Sequence, residues 1–364
     1  MSKLTRREFL KFGGMAAAAW MVPKWPATAA TLPEEHERVP LPASQGRITT
    51  WGGQTVRESP SPSAEGVAIK HRDDVIPLYA AVLGEAPWPT NSVWYRTEEG
   101  YIHSGYVQPV ATRRQREVLT DVPEAGFWAQ VCVPFAEMRW RPDENAAVAR
   151  KLYYGTVYRV VAAEPDENDR DKWWYQLQEG ITHTPGPYVP TWSVQRLLPE
   201  TIAPLGRRAR DESWSVYRLL PELFLMDGMR SGDKWMKIDI DQQTLICYHG
   251  KFPVFHTRIA SGLYSTATPR GDFRVLYKRK TRRMVGDDYD LPGVPFPVYF
   301  AGNGVAIHGT YWHNDYGRRH SHGCVNISND AAKWVFRWVD PVTSYDVYTE
   351  EAEAYEDGTR VVVV

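Results

Sequence analysis

The sequence predicts a mainly β protein made of several small units. Short runs rich in Val, Ile, Tyr and Trp recur along the 364 residues, and Gly, Pro and Asn separate them. Apolar and charged residues alternate strictly from Met236 to Asp241, as in a half-buried strand. One helical pattern stands out, because Ala331, Trp334, Val335 and Trp338 follow i, i+3, i+4, i+7 spacing. The length allows two or three domains, and a hydrophobic content of 43% supports proper cores.

The first 30 residues have the features of an export signal. Arg6 and Arg7 form a twin-arginine pair, and small residues suited to cleavage lie near Ala29. The apolar run between them, residues 12–22, has 11 residues, fewer than the roughly 18 expected of a membrane span. Residues 1–30 therefore resemble a bacterial Tat signal peptide, which predicts export by the Tat machinery to the cell wall or periplasm.

The charge balance argues against a nucleic-acid partner. The chain has 43 Lys and Arg against 44 Asp and Glu, so no basic field is present. Residues 1–29 carry five basic residues and one Glu, so cleavage would change the formal charge from −1 to −5. The exported protein is expected to be mildly acidic.

Two β-rich stretches precede the C-terminal third. Residues 31–44 are polar and Pro-rich and predict a linker. In residues 45–111 the strings VR, SPS, WY and GYV occur in an order that resembles bacterial SH3-like domains. Residues 125–200 repeat the order of a β run, a Trp-Tyr pair, a Glu-Gly turn and a Tyr-Val pair, which suggests a divergent second copy. We interpret their aromatic residues as barrel core first and as a binding groove second. Residues 201–231 are a connector without a predicted structure.

Residues 232–364 form the last predicted unit. The alternating run from Met236 turns at 241–244 and returns as a second strand, which predicts a β-hairpin. Ser328 can cap the helix that begins after it. The chain ends in TRVVVV, which predicts a final core strand.

The cysteine in RRHSHGCVNIS raises the question of function. Cys132, Cys247 and Cys324 are too few and odd in number for a disulfide framework. Cys324 could be a buried small hydrophobe, half of a disulfide, a metal ligand with His320 and His322, or a nucleophile. Strand alternation would put residues 320, 322 and 324 on one face, so spacing alone leaves a metal site open.

The segment VAIHGTYWHNDYGRRHSHGCVNIS combines the elements of thiol chemistry. Residues 305–307 form a short apolar run that delivers His308 at its end, and Gly323 allows a substrate to approach the backbone closely. A cysteine attacks as the thiolate, and a neighbouring histidine lowers its pKa or accepts its proton. The N–H groups of Gly323 and Cys324 could hold a developing oxyanion.

These residues resemble the YkuD-type L,D-transpeptidase domain. That family has a histidine followed by Ser/Thr-His-Gly-Cys, which matches His308 and the run from Ser321 to Cys324, and a Thr-Pro-x-Gly segment, which matches residues 268–271. The resemblance implies a YkuD-type β-sandwich with a helix after the cysteine. It implies that Cys324 is the nucleophile and His308 its base, oriented through the Gly309 carbonyl. The other expected site residues are Gly323 and His322 beside the thiol, and Ser321, Asn326, Tyr311, Trp312 and Tyr299 toward the substrate.

The same resemblance implies an activity. We expect an exported peptidoglycan L,D-transpeptidase that takes peptidoglycan stem peptides, forms 3→3 cross-links without a cofactor and reacts with carbapenem-type β-lactams. Three alternatives remain open. They are an L,D-carboxypeptidase using the same site, a zinc-dependent peptidase drawing on His308, His313, His320, His322 and Cys324, and a non-catalytic wall-binding protein.

Overall fold

The structure is a computed structural model that describes residues 36–178, 185–205 and 234–364. The predicted signal at 1–30 lies outside the described residues, as do the start of the predicted linker and residues 206–231 of the connector. The prediction of a mainly β protein is confirmed. Within the described ranges, no helix has both the length and the apolar character needed to cross a membrane.

Residues 36–110 form the first module. Its strands β1 to β9 are Arg38–Val39, Gln45–Ile48, Gln54–Arg57, Gly66–Lys70, Val75–Pro77, Ala80–Trp88, Asn91–Arg96, Tyr101–His103 and Val107–Val110. They form sheets of order β1-β6-β7-β8-β3-β4 and β5-β2-β9. The structure thus differs from the predicted linker at 31–44, because Arg38–Val39 pairs with Val82 and Ala81. Trp94 and Tyr95 are buried, as expected of core aromatics.

The second module repeats this pairing. Its strands β10 to β16 are Phe127–Val131, Phe135–Arg139, Val148–Tyr153, Val157–Pro165, Trp173–Gln178, Pro185–Pro190 and Val194–Arg196, in the order β12-β11-β15-β14-β13-β10-β16. The pairs β11–β12, β11–β15, β14–β15, β13–β14 and β10–β16 correspond in order to β3–β4, β3–β8, β7–β8, β6–β7 and β2–β9 of the first module. A short helix α1, Pro199–Ile202, follows.

The C-terminal unit, residues 234–364, holds strands β17 to β28. They are Lys234–Asp239, Thr244–His249, Phe252–Arg258, Gly271–Arg274, Tyr277–Arg279, Thr281–Val285, Asp290–Pro295, Val298–Tyr299, Ala306–Gly309, Val325–Ile327, Thr349–Glu351 and Arg360–Val363. Helix α2, Asn329–Trp338, begins where Ser328 Oγ accepts the Ala331 N–H at 3.3 Å. The hairpin after Met236, the Ser328 cap and the final strand are confirmed.

Two five-stranded sheets and α2 enclose the core of this unit. One sheet has the order β19-β18-β17-β28-β20, and the other, which we call the site sheet, has the order β26-β25-β24-β21-β27. Among the strands that the structure describes, β22 and β23 pair only with each other, and they form a separate hairpin, residues 281–295. Met236, Ile238 and Val361 of the first sheet share one apolar cluster with Val298, Ile307 and Val325 of the site sheet.

The two N-terminal modules contact the C-terminal unit in different ways. Trp128, Val157, Leu197 and Ile202 belong to the same apolar cluster as the C-terminal core. By contrast, the first module reaches the C-terminal unit through polar contacts such as the Asn314 N–H donating to Gly105 O at 2.8 Å. The second module therefore completes the core, and the first is joined through hydrogen bonds.

Candidate active site

Strand register brings His308 and Cys324 to one face of the site sheet. Strands β25 and β26 are parallel, with Ile307 opposite Val325 and His308 opposite Asn326. Residues two apart on a strand point the same way, so His308 and Asn326 share a face, while Ile307 and Val325 face the core. Cys324 joins that face, because its thiol contacts the backbone at Ala306 and its charge acts on Tyr299, which pairs with Ala306. Cys324 directly precedes β26, two residues before Asn326, the residue that lies opposite His308. The sequence separates these two residues by a loop of 15 residues, and the parallel pairing closes that gap.

The tautomer of His308 is fixed by the backbone. Its Nδ1 lies 2.9 Å from Gly309 O, and a carbonyl can only accept, so Nδ1 carries the proton and Nε2 is left with its lone pair. Burial lowers the pKa of His308 to about 4, with the Gly309 bond opposing this shift. At neutral pH the ring is therefore an uncharged acceptor, the state needed to take a proton from a thiol.

Cys324 is half-buried in a pocket of backbone and phenol groups. Its Sγ lies 4.0 Å from Gly304 O. Burial raises the pKa of the Cys324 thiol, and a backbone contact at Ala306 partly opposes the rise. Burial also raises the pKa of Tyr289 and Tyr299, with the negative charge of the Cys324 thiolate contributing to both. At neutral pH the Cys324 thiol keeps its proton and the His308 ring is uncharged, so these two residues rest as a neutral thiol and a neutral imidazole.

The segment 261–268 fixes the loop that carries the cysteine. Ser261 O accepts from the N–H of His320 and of Ser321, at 2.8 and 3.0 Å. Thr268 Oγ1 donates to Gly323 O at 2.8 Å and accepts the Gly262 N–H at 2.9 Å. The threonine of the Thr-Pro-x-Gly segment therefore connects the segment 261–268 to the loop that carries Cys324.

Inside the loop, Ser321 and Gly323 shape the turn before the cysteine. Ser321 Oγ donates to Cys324 O and accepts the Gly323 N–H at 3.2 Å. Gly323 has φ of +120°, and a Cβ built there would meet no atom closer than 3.6 Å. The glycine is therefore required by its backbone conformation and not by crowding. Ser321 is buried and serves the turn.

Asn326 and His313 form a buried pair behind the site. His313 Nδ1 accepts the Asp315 N–H at 3.1 Å, and Nε2 lies 2.9 Å from the Asn326 amide. Burial lowers the pKa of His313 well below its ordinary value, so the ring is neutral and Nε2 holds its proton. The contacting atom is Asn326 Nδ2, and Asn326 Oδ1 has no hydrogen-bond partner, so we assign the amide in the flipped orientation, in which Oδ1 accepts from His313 Nε2. Asn326 thus ties the loop after His308 to β26.

His322 lies at the exposed rim of the site. Its Nε2 is 3.3 Å from Asp288 Oδ2, and its ring centroid is 5.1 Å from that of Tyr289. Asp288 and Tyr289 form the tip of the hairpin at 281–295. His322 therefore contacts the hairpin from beside the cysteine.

The remaining predicted residues differ in exposure. Tyr299 is buried and stacks on Tyr277 at 4.3 Å between ring centroids. It pairs with Ala306 and shares the face of Cys324. Tyr311 is buried, and its hydroxyl donates to Pro292 O at 3.1 Å. Trp312 is half-buried, 5.8 Å from His308 between ring centroids.

The histidines of this region point in separate directions. Strand β26 begins only at Val325, so residues 320–324 form a turn and the alternation that would align 320, 322 and 324 does not apply. His320 stacks on His313, with centroids 4.2 Å apart, while His322 faces Asp288. Among the described residues, no three His, Cys, Asp or Glu side chains form a set that could hold a metal ion.

Sequence reasoning missed several contributors to the site. Thr268 lies in the Thr-Pro-x-Gly segment, but the motif by itself does not show the bond from Thr268 to the loop that carries the cysteine. Tyr289 and Asp288 belong to the string GDDYD, where nothing in composition or spacing points to the cysteine. Their proximity comes from the fold of the hairpin over the site sheet.

Comparison with known proteins bears on the C-terminal unit. Residues 233–363 match the family model YkuD, described as the L,D-transpeptidase catalytic domain. The match covers the site sheet, the hairpin and α2 in full. Residues 233–363 therefore match an L,D-transpeptidase catalytic domain of the YkuD type, and the rest of the chain lies outside that match.

Solved structures match 36% of the chain. A structure described as the Ldtfm-avibactam carbamoyl enzyme is 28% identical and covers 36% of this chain and 49% of that one, with a TM-score of 0.30. A cysteine-to-serine mutant of the Enterococcus faecium L,D-transpeptidase is 27% identical over 36% and 50%, also at 0.30. The catalytic domain from E. faecium solved by NMR is 26% identical over 36% and 98%, at 0.29. The chain thus spans about half the length of the first two. No curated protein matches.

Proposed function

We propose that the protein is an exported peptidoglycan L,D-transpeptidase that forms 3→3 cross-links through a thioester on Cys324. The observation that carries this proposal is the placement of His308 and Cys324 on one face of the site sheet, with His308 Nε2 free of its proton. Such a pair is the minimum for acyl transfer by a thiol. The YkuD match over residues 233–363 supports the same chemistry.

In the first half-reaction the donor is a tetrapeptide stem. Cys324 Sγ attacks the carbonyl carbon of the third residue while its proton moves to His308 Nε2. The C–N bond to the terminal D-Ala then breaks, and His308 returns the proton to the leaving amine. The products are a thioester on Cys324 and free D-Ala.

The oxyanion of that step needs a donor. The Gly323 N–H already donates to Ser321 Oγ at 3.2 Å, so we assign the role to the Cys324 N–H instead of the expected pair. The Tyr289 phenol, whose pKa is raised by burial and by the Cys324 charge, is the second donor that we assign to this role.

In the second half-reaction the side-chain amine of another stem attacks the thioester. A new amide forms, the S–C bond breaks, and the proton of the amine passes through His308 to the sulfur. If water takes the place of the amine, the product is a tripeptide and the same site acts as an L,D-carboxypeptidase.

Mass spectrometry of the mature protein with a disaccharide-tetrapeptide tests the proposal. We expect an acyl-enzyme adduct equal to the stem less D-Ala, followed by a cross-linked dimer. Tripeptide without dimer would replace transpeptidation by hydrolysis. Turnover that is lost on chelation and restored by zinc would replace the thiol mechanism by the zinc alternative.

A carbapenem provides an independent probe of the nucleophile. The β-lactam carbonyl is a strained amide, so attack by Cys324 should add one inhibitor mass on the SHGCVNIS peptide. Cys132 and Cys247 are buried, and burial raises the pKa of both thiols, so they should remain unlabelled. Labelling at either of them, or none in folded and reduced protein, would contradict the assignment.

Export is proposed on the sequence of residues 1–30, in which Arg6 and Arg7 form the twin-arginine pair. Replacing Arg6 and Arg7 together by Lys should leave the unprocessed chain inside the cell, as detected by fractionation and immunoblotting. Normal secretion of that double variant would remove the Tat assignment.

A further inference from the structure

Arg47 of the first module is a buried cation at a junction of all three units. It lies on β2, opposite Val75 and Gln108, and is 1% exposed. A fully buried guanidinium is costly unless its donors are satisfied, so its partners show what it is for.

Those partners come from three parts of the chain. Within the first module, Nη1 donates to Asp73 Oδ1 at 3.0 Å, and Nε and Nη2 donate to Gln108 Oε1 at 3.2 and 2.8 Å. From the second module, the Tyr153 ring lies under the guanidinium, 4.2 Å from Cζ to centroid. From the C-terminal unit, Tyr311 O accepts from Nη2 at 2.5 Å.

Neighbouring contacts strengthen the same junction. Asp73 also accepts from Lys151 of the second module at 2.9 Å. The Tyr153 ring stacks on the Tyr311 ring, with centroids 5.4 Å apart and planes at 21°. A guanidinium offers planar, forked donors and an aromatic-stacking face in one group, which suits a site with three kinds of partner.

The Tyr311 carbonyl belongs to the loop that joins the two catalytic residues. Tyr311 follows His308 by three positions, and two positions later His313 meets Asn326, the residue opposite His308. The Tyr311 hydroxyl also donates to the carbonyl of Pro292, in the second strand of the hairpin over the site. A shift of Tyr311 would therefore move both the histidine side and the hairpin side of the site.

We propose that Arg47 is a positioning residue for the catalytic centre, so that the first module helps to build the active site and is more than an attachment. The inference rests on the proposed thiol chemistry at Cys324. It gives the polar contact between the first module and the C-terminal unit a role in setting the geometry of His308 and Cys324.

The test compares Arg47→Met and Arg47→Lys with a matched control in the full mature chain. Arg57→Met is the control, because Arg57 Nη1 donates to Ala64 O within the first module. The readouts are the first-order rate constant of carbapenem acylation at saturation, the rate of Cys324 alkylation by iodoacetamide, and the melting temperature.

We expect Arg47→Met to acylate and alkylate on the order of 10- to 100-fold more slowly in folded protein, since a displacement of about 1 Å can cost that much. Arg47→Lys keeps the charge beside Asp73 but not the fork, so it should recover part of the rate. Arg57→Met should match the wild type. A role in stability alone would lower the melting temperature and leave both rates of the folded protein unchanged, and that result would overturn the proposal.

A second variant decides the case if Arg47→Met does not fold. Tyr153→Leu removes the stacking partner of both Arg47 and Tyr311 but leaves every donor of Arg47 paired. Slower alkylation and acylation in this variant would support the positioning role, and wild-type rates would overturn it. Wild-type protein that is alkylated at Cys324 but never acylated would refute the proposed function, while the alkylation rates would still decide the role of Arg47.

Discussion

The two faces of the site sheet differ in what they bury. One face presents Val298, Ile307, Val325 and Ile327 to the shared apolar core, all fully buried. The opposite face presents Tyr299, His308, Asn326 and the adjoining Cys324, buried or half-buried around polar partners. Successive residues on the same short strands therefore belong either to the core or to the chemistry. Substitutions on the two faces should separate stability from activity.

The largest effect is expected at the nucleophile. Cys324→Ala should abolish acyl-enzyme formation, because no other group supplies the attacking sulfur, while the melting temperature changes little. Cys247→Ala is the matched control, since this thiol lies in the core cluster at 0% exposure. It should lower stability and keep acylation of the folded protein. Intact-mass kinetics and thermal melts give both readouts, and an active Cys324→Ala would contradict the assignment.

The second-largest effect is expected at His308. The acylation rate of His308→Ala should be lower than that of the wild type by a factor on the order of 10² or more. The pH profile sharpens this prediction. With the pKa of His308 at about 4 and that of the thiol raised by burial, the wild-type rate should be flat from about pH 5 to neutral pH and fall as the pH approaches 4. Without the base, only thiolate reacts, so the rate of the variant should climb about tenfold per pH unit over the same interval.

A companion variant separates the base from its structural role. His308→Asn retains an N–H that can donate to Gly309 O but has no basic nitrogen. It should be as slow as His308→Ala. Activity near the wild type in His308→Asn would show that His308 orients the strand and that another group accepts the proton.

On the core face, Ile307→Ala should lower the free energy of unfolding without changing the acylation rate of the folded protein. Ile307 is 0% exposed, and removal of such a side chain costs about 2–5 kcal/mol of unfolding free energy. Ile69→Ala is the control, because Ile69 is 61% exposed and such positions change stability by about 0.5 kcal/mol or less. Urea titration measures both. A loss of acylation in folded Ile307→Ala would mean that the two faces are coupled.

Part of the fold and of the candidate site could be predicted from local sequence patterns. The apolar run before His308, the Ser328 cap and the alternation after Met236 depend on neighbours in sequence, and the structure has strands and a helix there. The parallel pairing of β25 with β26 is a long-range choice of register that no local pattern fixes. The alternation assumed for 320–324 failed because Gly323 adopts φ of +120° and turns the chain just before the strand. The sequence around Arg47 does not predict its contacts, because its partners lie up to 264 positions away.

The last expected effect is a pH dependence of stability that originates on the site face. Burial lowers the pKa of His308 to about 4, against about 6.5 for an unfolded histidine. Between these values the unfolded chain binds a proton that the folded chain does not, so the free energy of unfolding should fall as pH decreases from about 6.5 to 4 and stay constant above that window. In His308→Asn this part of the slope should disappear, leaving the contributions of other buried histidines such as His313, whose pKa is also lowered by burial. Ile307→Ala should instead lower the whole curve by the same amount at every pH, because it removes apolar contact and no titrating group. Urea denaturation from pH 4 to 8 distinguishes the two shapes, and an identical slope in wild type and His308→Asn would show that the folded and unfolded states protonate His308 alike.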